Sequence, residues 1–435
     1  MPAENKSAPE KKLKLNFING FKIDDSRQNM YWGKNKDEIT YPAAAVGVCM
    51  NVNSLKQRFM GAGEQKSVKG HTDDIMTLGL SPDRKLVVTG SLGARPLILV
   101  WDSDSMEVIA RANLNRNTRA VVAIRFSKDG KYFFCADKHN DSNVYCFQAN
   151  DGKLLGQNKC GSDPVFDGET GDNNTYATAT KRGIYFFEMG GELEKKRGLF
   201  SGHDMTSMIT ITYSPENKCF FSGTAKGSIY VWSGNSCSKS VPMHKGSVMG
   251  LNWACGKLLS SGSKDGLIKI SSPDLETIKT FEISNSYAKS LDLLNGKLLA
   301  GTSCGRIMVF DENTADKKEV MNGHSQGEAW GLAIGGDGNI FTTADDNSVI
   351  CFNPKTFKSE GEGVINTNPG RRRRIGGAST LSRLPPNQHS RAVAVNKAGH
   401  VMIGTNDGEV SVRTCKVIFD NNIGFKQKSV FRQGC

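Results

Sequence analysis

The chain returns to one short pattern at multiples of a single spacing. KGHTDD around Gly70 and His71, SGHDMT around Gly202 and His203, PMHKGS at His244 and NGHSQG around Gly323 and His324 put histidines 132, 41 and 80 residues apart. These intervals are close to three, one and two units of roughly 40–45 residues, a period that belongs to repeats of small sheets. After each motif come a short apolar strand, a turn, a second strand, a second turn and a third strand. The second turn is the plainest marker, in TKRGIYFF, TAKGSIYVW, SKDGLIKI, TSCGRIMVF, ADDNSVICF and TNDGEVSVR. Gly or Asn recurs there because a tight hairpin needs positive φ. The first turn repeats as LSPDRK, FSKDGK, YSPENK, ACGK, LNGK, GGDGN and NKAGH between near-alternating apolar residues. Eight three-strand units result, beginning near Asp73, Arg119, Val165, Thr206, Ser247, Ala288, Glu328 and Arg391. Such units bury their faces only by stacking, which predicts an all-β propeller with blades around a central channel.

Composition agrees with that class. At 435 residues, 38% hydrophobic and 23% charged, the chain reads as globular, and 47 glycines serve many turns better than long helices. The start, MPAENKSAPEKKLKLN, has no apolar core of a signal peptide, and no window approaches the ~18 apolar residues of a membrane span. A cytosolic protein without membrane contact is expected. Eleven cysteines stand singly with no CxxC pair, so reduced, buried thiols are expected at Cys49, Cys135, Cys219 and Cys351 rather than disulfides or zinc. Cys435 is at the wrong position for a lipidation signal. The net charge of +12 favours anionic partners without choosing among them.

With the Gly-His pairs and the endings VWD (Val100, Trp101, Asp102) and VW (Val231, Trp232), the chain resembles the WD40 family. In that family His, a hairpin Asp, a Ser or Thr and Trp bond within one blade. The resemblance gives His71, His203, His244, His324, Trp101, Trp232 and Asp265 structural roles. The match is degenerate: Trp101 and Trp232 lack an obvious hairpin Asp, and an isoleucine is read where a tryptophan would follow Asp265. No H-E-x-x-H, Walker A or G-x-S-x-G sequence is present, and neither a catalytic residue nor a cofactor or metal site is assigned.

AVGVCMNV, NSLK and QRFM, over residues 45 to 60, read as a β-hairpin with Val46, Val48 and Met50 on one face. A lone hairpin is marginal and must pack onto something, so it either closes the ring or, left exposed, offers a platform to a partner. Residues 17 to 91, with NGFKIDDSRQN, ITYPAAAVGV, QRFM, GHTDDI and PDRKLVVTG in order, resemble the hydrophobic (HELP) motif and first repeat of echinoderm microtubule-associated protein-like (EMAP-like) proteins. VWDSDSMEVI, FSKDGKYFFCADKHND, GLFSGH, HSQGEAWGLAI and VMIGTNDGEVSV extend the likeness over about residues 16 to 414. Tyr41, Val46, Val48, Met50 and Phe59 are the hairpin residues so marked. The resemblance implies two propellers in tandem, the motif buried where they meet, and microtubule binding. About 15 polar residues without heptads precede the motif, so no coiled-coil oligomerisation is expected. Eight units fill the chain, leaving a single-propeller version or half of a larger assembly.

The expected division is a basic tail over 1–15, the HELP-type motif over 16–66, a WD40 propeller over 67–414 and an extension over 415–435. Seven units are expected to close the ring, with residues 391 to 414 joining the hairpin in a composite blade; eight blades is the alternative. An insertion over 359–388 is rich in Gly, Ser, Asn and Pro around Arg371, Arg372, Arg373 and Arg374. Long loops in compact domains are often functional, and guanidinium groups bind carboxylates bidentately. Contact with acidic tubulin surface, a solvated charge run, and an import or RNA role all remain open for it. Lys11, Lys12 and Lys14 would add to the same field. The acidic stretch SDPVFDGETGDNNT reads as a solvated turn, since its spacing is not that of a calcium loop. No aromatic-basic stripe or nucleic-acid signature appears.

The expected function is that of a non-enzymatic scaffold on microtubules, in cilia or other stable arrays, partnered by tubulin and other microtubule-associated proteins. The alternative is a WD40 adaptor in a ubiquitin-ligase or signalling complex.

Overall fold

The structure, a computed structural model, describes residues 14–61, 70–114, 118–139, 141–364, 389–406, 409–418 and 422–432. These form β-strands and no helix, in seven four-stranded antiparallel sheets and one of eight strands. No helix among the described residues is long and apolar enough to cross a membrane.

Six consecutive sheets begin with the strands Ile75–Leu80, Val121–Phe126, Val165–Thr170, Met208–Ser214, Val248–Ala254 and Ala288–Leu294. Each of these first strands packs against the next, so they line the axis and the sheets are propeller blades one to six. Their turns follow the sequence: Gly227 has φ +95°, and a Cβ there would meet the His244 carbonyl oxygen, so only glycine fits.

Residues 31–60 supply the seventh blade. Strands Tyr31–Trp32, Glu38–Ala43, Val46–Asn51 and Gln57–Met60 form one sheet. Tyr31–Trp32 packs on Ala288–Leu294 of blade six and Glu38–Ala43 on Ile75–Leu80 of blade one. The composite blade expected with residues 391 to 414 is therefore not formed. The hairpin finds its edge partners within its own sheet, while Ser390–Val395 and His400–Thr405 pair with each other. The ring holds six repeat units and this closing sheet.

Units seven and eight lie outside the ring. They begin at Ala329–Ile334 and Ser390–Val395, which pack together, and their outer strands Ser359–Val364 and Asn422–Arg432 meet at Gly361 and Ile423. The propeller expected over 67–414 thus divides after Asn322, and residues set aside as an extension from 415 continue the last sheet in Glu409–Ile418 and Asn422–Arg432. Because no further first strand among the described residues lies over Ala329–Ile334, Trp330, Leu332 and Ile334 stay exposed. Cys49, Cys135 and Cys219 are buried free thiols, and Cys351 is buried.

Candidate functional site

The closing sheet is apolar on both faces because it has a blade on each side. Tyr41, Val48 and Met50 are buried with Ile39 and Trp32 against Leu299, Ile307 and Val320 of blade six, while Val46 and Phe59 are partly buried at the edge of that cluster. On the other face Cys49 and Met60 pack on Leu78, Leu99 and Trp101 of blade one. Gly47 lets the two approach: a Cβ there would lie 2.7 Å from Trp101 Cζ2. A hairpin buried this way is no platform for a partner.

Side-chain and backbone polar groups of residues 28–32 latch the closing sheet to blade six. Gln28 Nε2 donates to the Leu291 carbonyl at 2.8 Å and its Oε1 accepts from the Leu291 N–H at 3.0 Å. The Asn29 N–H donates to Ser290 Oγ at 3.0 Å, and the Trp32 N–H to Asp292 Oδ2 at 2.9 Å. Arg84 of blade one reaches the same carboxylate at 2.6 Å and the Trp32 carbonyl at 2.6 Å, so three sheets meet at Asp292. Sequence reasoning passed over Gln28, Asn29 and Trp32; the run SRQNMYW, polar residues leading directly into a buried strand, was the available signal.

The acidic stretch read as a solvated turn is instead the axial strand of blade three. Asp167 and Glu169 are buried, and Arg125 of blade two lies between them at 3.3 Å and 3.4 Å. Asp167 Oδ2 also accepts from the Ile211 N–H of blade four. Burial pushes the Asp167 carboxyl up to about 6 against the pull of Arg125. Alternation along a strand puts these carboxylates on one face, and ring closure makes that face the channel wall.

The predicted histidines divide. His244 bonds Asp265 through Nδ1 at 3.0 Å and Ser260 through Nε2 at 2.9 Å, three of the four members of the family's network. His324 bonds Asp346 and Ser348 through Nδ1 and Thr342 through Nε2 at 2.9 Å; Asp346, in ADDNSV, was missed. Among the described residues His71 bonds Thr89 alone, at 2.8 Å, and burial lowers its pKa to about 4. His203 makes a ring contact with Tyr230, while the Trp232 indole N–H donates to Ser222 at 2.7 Å. Among the described residues the Trp101 indole N–H has no hydrogen-bond partner. Strand register puts Trp101 opposite Val87, Trp232 opposite Phe220 and Ser271 opposite Leu258. The tryptophan position after Asp265 is thus Ser271, not an isoleucine. All these groups join strands within a blade, and no cluster among the described residues has the His, Cys, Asp and Glu ligands to hold a metal. Lys14 is exposed; Lys11, Lys12 and Arg371 to Arg374 lie outside the described residues.

The ring has two mouths. Where the axial strands end, cations are matched: Lys128 with Glu169 at 3.3 Å and Arg84 with Asp292 at 2.6 Å. Where those strands begin lies a cavity of about 710 Å³ lined by Asp25, Arg27, Arg119, Lys138 and His139 among others. The cavity at the other mouth is about 270 Å³, and among the described residues Arg27, Arg119 and Lys138 of the first have no carboxylate within ion-pair distance.

A ring whose seventh blade is a hydrophobic motif placed ahead of the repeats matches two family models. The first β-propeller of echinoderm microtubule-associated protein matches residues 64–295, and the HELP motif residues 8–48. The chain belongs to the EMAP-like family. Among relatives, the ciliary WD repeat-containing protein ctxp80 of Euplotoides octocarinatus is 33% identical over 94% of this chain and 59% of its own length. The human echinoderm microtubule-associated protein-like 1 is 29% identical over 77% of this chain and 42% of its own. The 77 kDa echinoderm microtubule-associated protein of Strongylocentrotus purpuratus is 27% identical over 81% and 52%. The EMAP-like chain described here thus spans about half the length of the curated relatives it matches. It has the WD40 propeller and HELP motif of the resemblance, but the motif is buried between blades one and six of a single ring rather than where two propellers meet.

Proposed function

We propose that this EMAP-like chain is a non-enzymatic scaffold that binds the tubulin lattice, in cilia or other stable microtubule arrays. The observation that carries the reading is the likeness along 94% of the chain to a relative named as ciliary, beside relatives named as microtubule-associated. A ring closed by a buried seventh blade supports it, since a preformed surface loses little entropy on binding. The net charge of +12 steers such a body toward an acidic polymer. Arg371 to Arg374 and Lys11, Lys12 and Lys14 are the proposed contacts with acidic tails, on their charge alone.

Co-sedimentation with intact microtubules and with microtubules stripped of their acidic tails, across a salt series, tests this reading. Binding that weakens steeply with salt, on stripping and in the Arg371–Arg374→Ala variant supports electrostatic tail recognition. Binding kept in the stripped and mutated samples moves the contact to the propeller body. Absence of binding to either lattice would sink the scaffold reading and favour the adaptor.

A further inference from the structure

The cavity where the axial strands begin contains a guanidinium with no carboxylate counter-ion among the described residues. Arg27 lines it, half-buried. Its Nε is buried with no hydrogen-bond partner, and its Nη1 donates at 2.9 Å to the carbonyl of its own neighbour Ser26. Among the described residues no carboxylate comes within ion-pair distance of it. Asp167, deeper in the channel, is committed to Arg125 at 3.3 Å. Asp137, also in the lining, accepts from the Asn143 N–H at 2.7 Å, Tyr145 Oη at 3.0 Å and Thr118 Oγ1 at 3.3 Å. Burial already lowers the Arg27 pKa, so the group bears a desolvation cost that a ligand would offset.

The backbone that presents Arg27 is fixed. On its N-terminal side Asp25 has φ +54° and Ser26 Oγ accepts from Asn29 Nδ2. On its C-terminal side Gln28, at φ +39°, and Asn29 are latched to Leu291 and Ser290 of blade six. An arginine held this way needs little ordering to meet a ligand. Arg119 and Lys138, exposed on the adjoining loops of blade two, are held together by a bond from the Arg119 N–H to the Lys138 carbonyl at 3.2 Å. Their side chains have no carboxylate partner within ion-pair distance among the described residues.

We propose that this cavity binds an acidic peptide segment of a partner protein, with Arg27 taking one carboxylate inside the mouth and Arg119 and Lys138 taking flanking carboxylates at its rim. Guanidinium groups pair bidentately with carboxylates, and three separated cations suit an extended chain with several acidic side chains. Asp25 and Asp137 interrupt the positive lining, which disfavours the unbroken charge of a nucleic-acid backbone. The site deepens the scaffold reading by giving the ring its own means of recognition, distinct from the arginine-rich loop.

The test is fluorescence anisotropy of a labelled peptide of alternating Glu and Gly with the full chain at low salt, beside its Gln-for-Glu counterpart and an RNA of equal length. Binding of the Glu peptide and not the Gln peptide is expected. Arg27→Gln should weaken it about tenfold to a hundredfold, as for loss of a charged hydrogen bond. The exposed pair Arg119→Glu with Lys138→Glu should do the same without touching the ring's core. No binding of the Glu peptide, or binding unchanged in both variants, overturns the proposal. So does RNA binding more tightly than the peptide and lost in the same variants. Microtubule co-sedimentation in parallel separates the two readings: peptide binding without microtubule binding defeats only the scaffold, and the reverse defeats only this site.

Discussion

Gln28 and Leu291, 263 residues apart, exchange two hydrogen bonds, the side-chain amide of one meeting the backbone N–H and carbonyl of the other. A glutamine here does what a neighbouring strand would do, and it does so at the seam where the ring closes. The Leu291 carbonyl has a second donor in Asn252 Nδ2 at 2.8 Å, whereas among the side chains of the described residues its N–H has Gln28 alone.

Gln28→Ala should therefore orphan one buried N–H and cost about 1–3 kcal/mol. Denaturant unfolding followed by tryptophan fluorescence would show a lower midpoint, and an unchanged midpoint would remove Gln28 from the closure.

Gly47 and Trp101 form the matching contact on the other side of the closing sheet. Gly47→Ala puts a methyl 2.7 Å from the indole, an overpacking expected to cost roughly 1–3 kcal/mol. In a Trp101→Leu background the same change should cost clearly less. Equal costs in the two backgrounds would mean that the indole is not the obstacle.

The axial ion cluster makes a sharper demand. Arg125→Met leaves Asp167 and Glu169 buried with their shared guanidinium gone, and about 3–5 kcal/mol of stability should be lost. The Arg125→Met, Asp167→Asn double variant should recover part of that loss. A fully additive result would show that the two residues are not coupled.

Acid should loosen the first blade through His71. Burial holds its pKa near 4, below the ordinary value of 6.5, so the folded chain keeps the ring neutral where the unfolded chain protonates it. Its contribution is fully present above pH 6.5 and is lost as the pH falls toward 4, on the order of 3 kcal/mol if the whole shift is expressed. His71→Asn should flatten the pH dependence of stability over that range. An identical slope in both proteins would place the acid sensitivity elsewhere.

Local pattern decided much of this molecule in advance. Turn glycines and alternating apolar residues are read within a few positions, so the starts of all eight units were legible, while the structural roles of His244 and Asp265 came from the WD40 resemblance and their bond only from the structure. Register within a blade was less so. Which residue stands at the tryptophan position is set by pairing with the second strand, which puts Ser271 opposite Leu258, and alternation alone does not fix that register.

The amino-acid sequence by itself determined that the chain would form small twisted sheets stacked as blades, because each unit carries its own turns and has an apolar face to hide. Only the tertiary structure decided which sheet closes the ring and what lies on its axis. Closure joins residues 28 and 291, a contact with no period and no local signal, and it is favoured because the hairpin's two apolar faces are both buried only between blades one and six. The same closure turned Asp167 and Glu169 from apparent solvated acids into buried partners of Arg125, since a strand face becomes a channel wall only when the circle is complete.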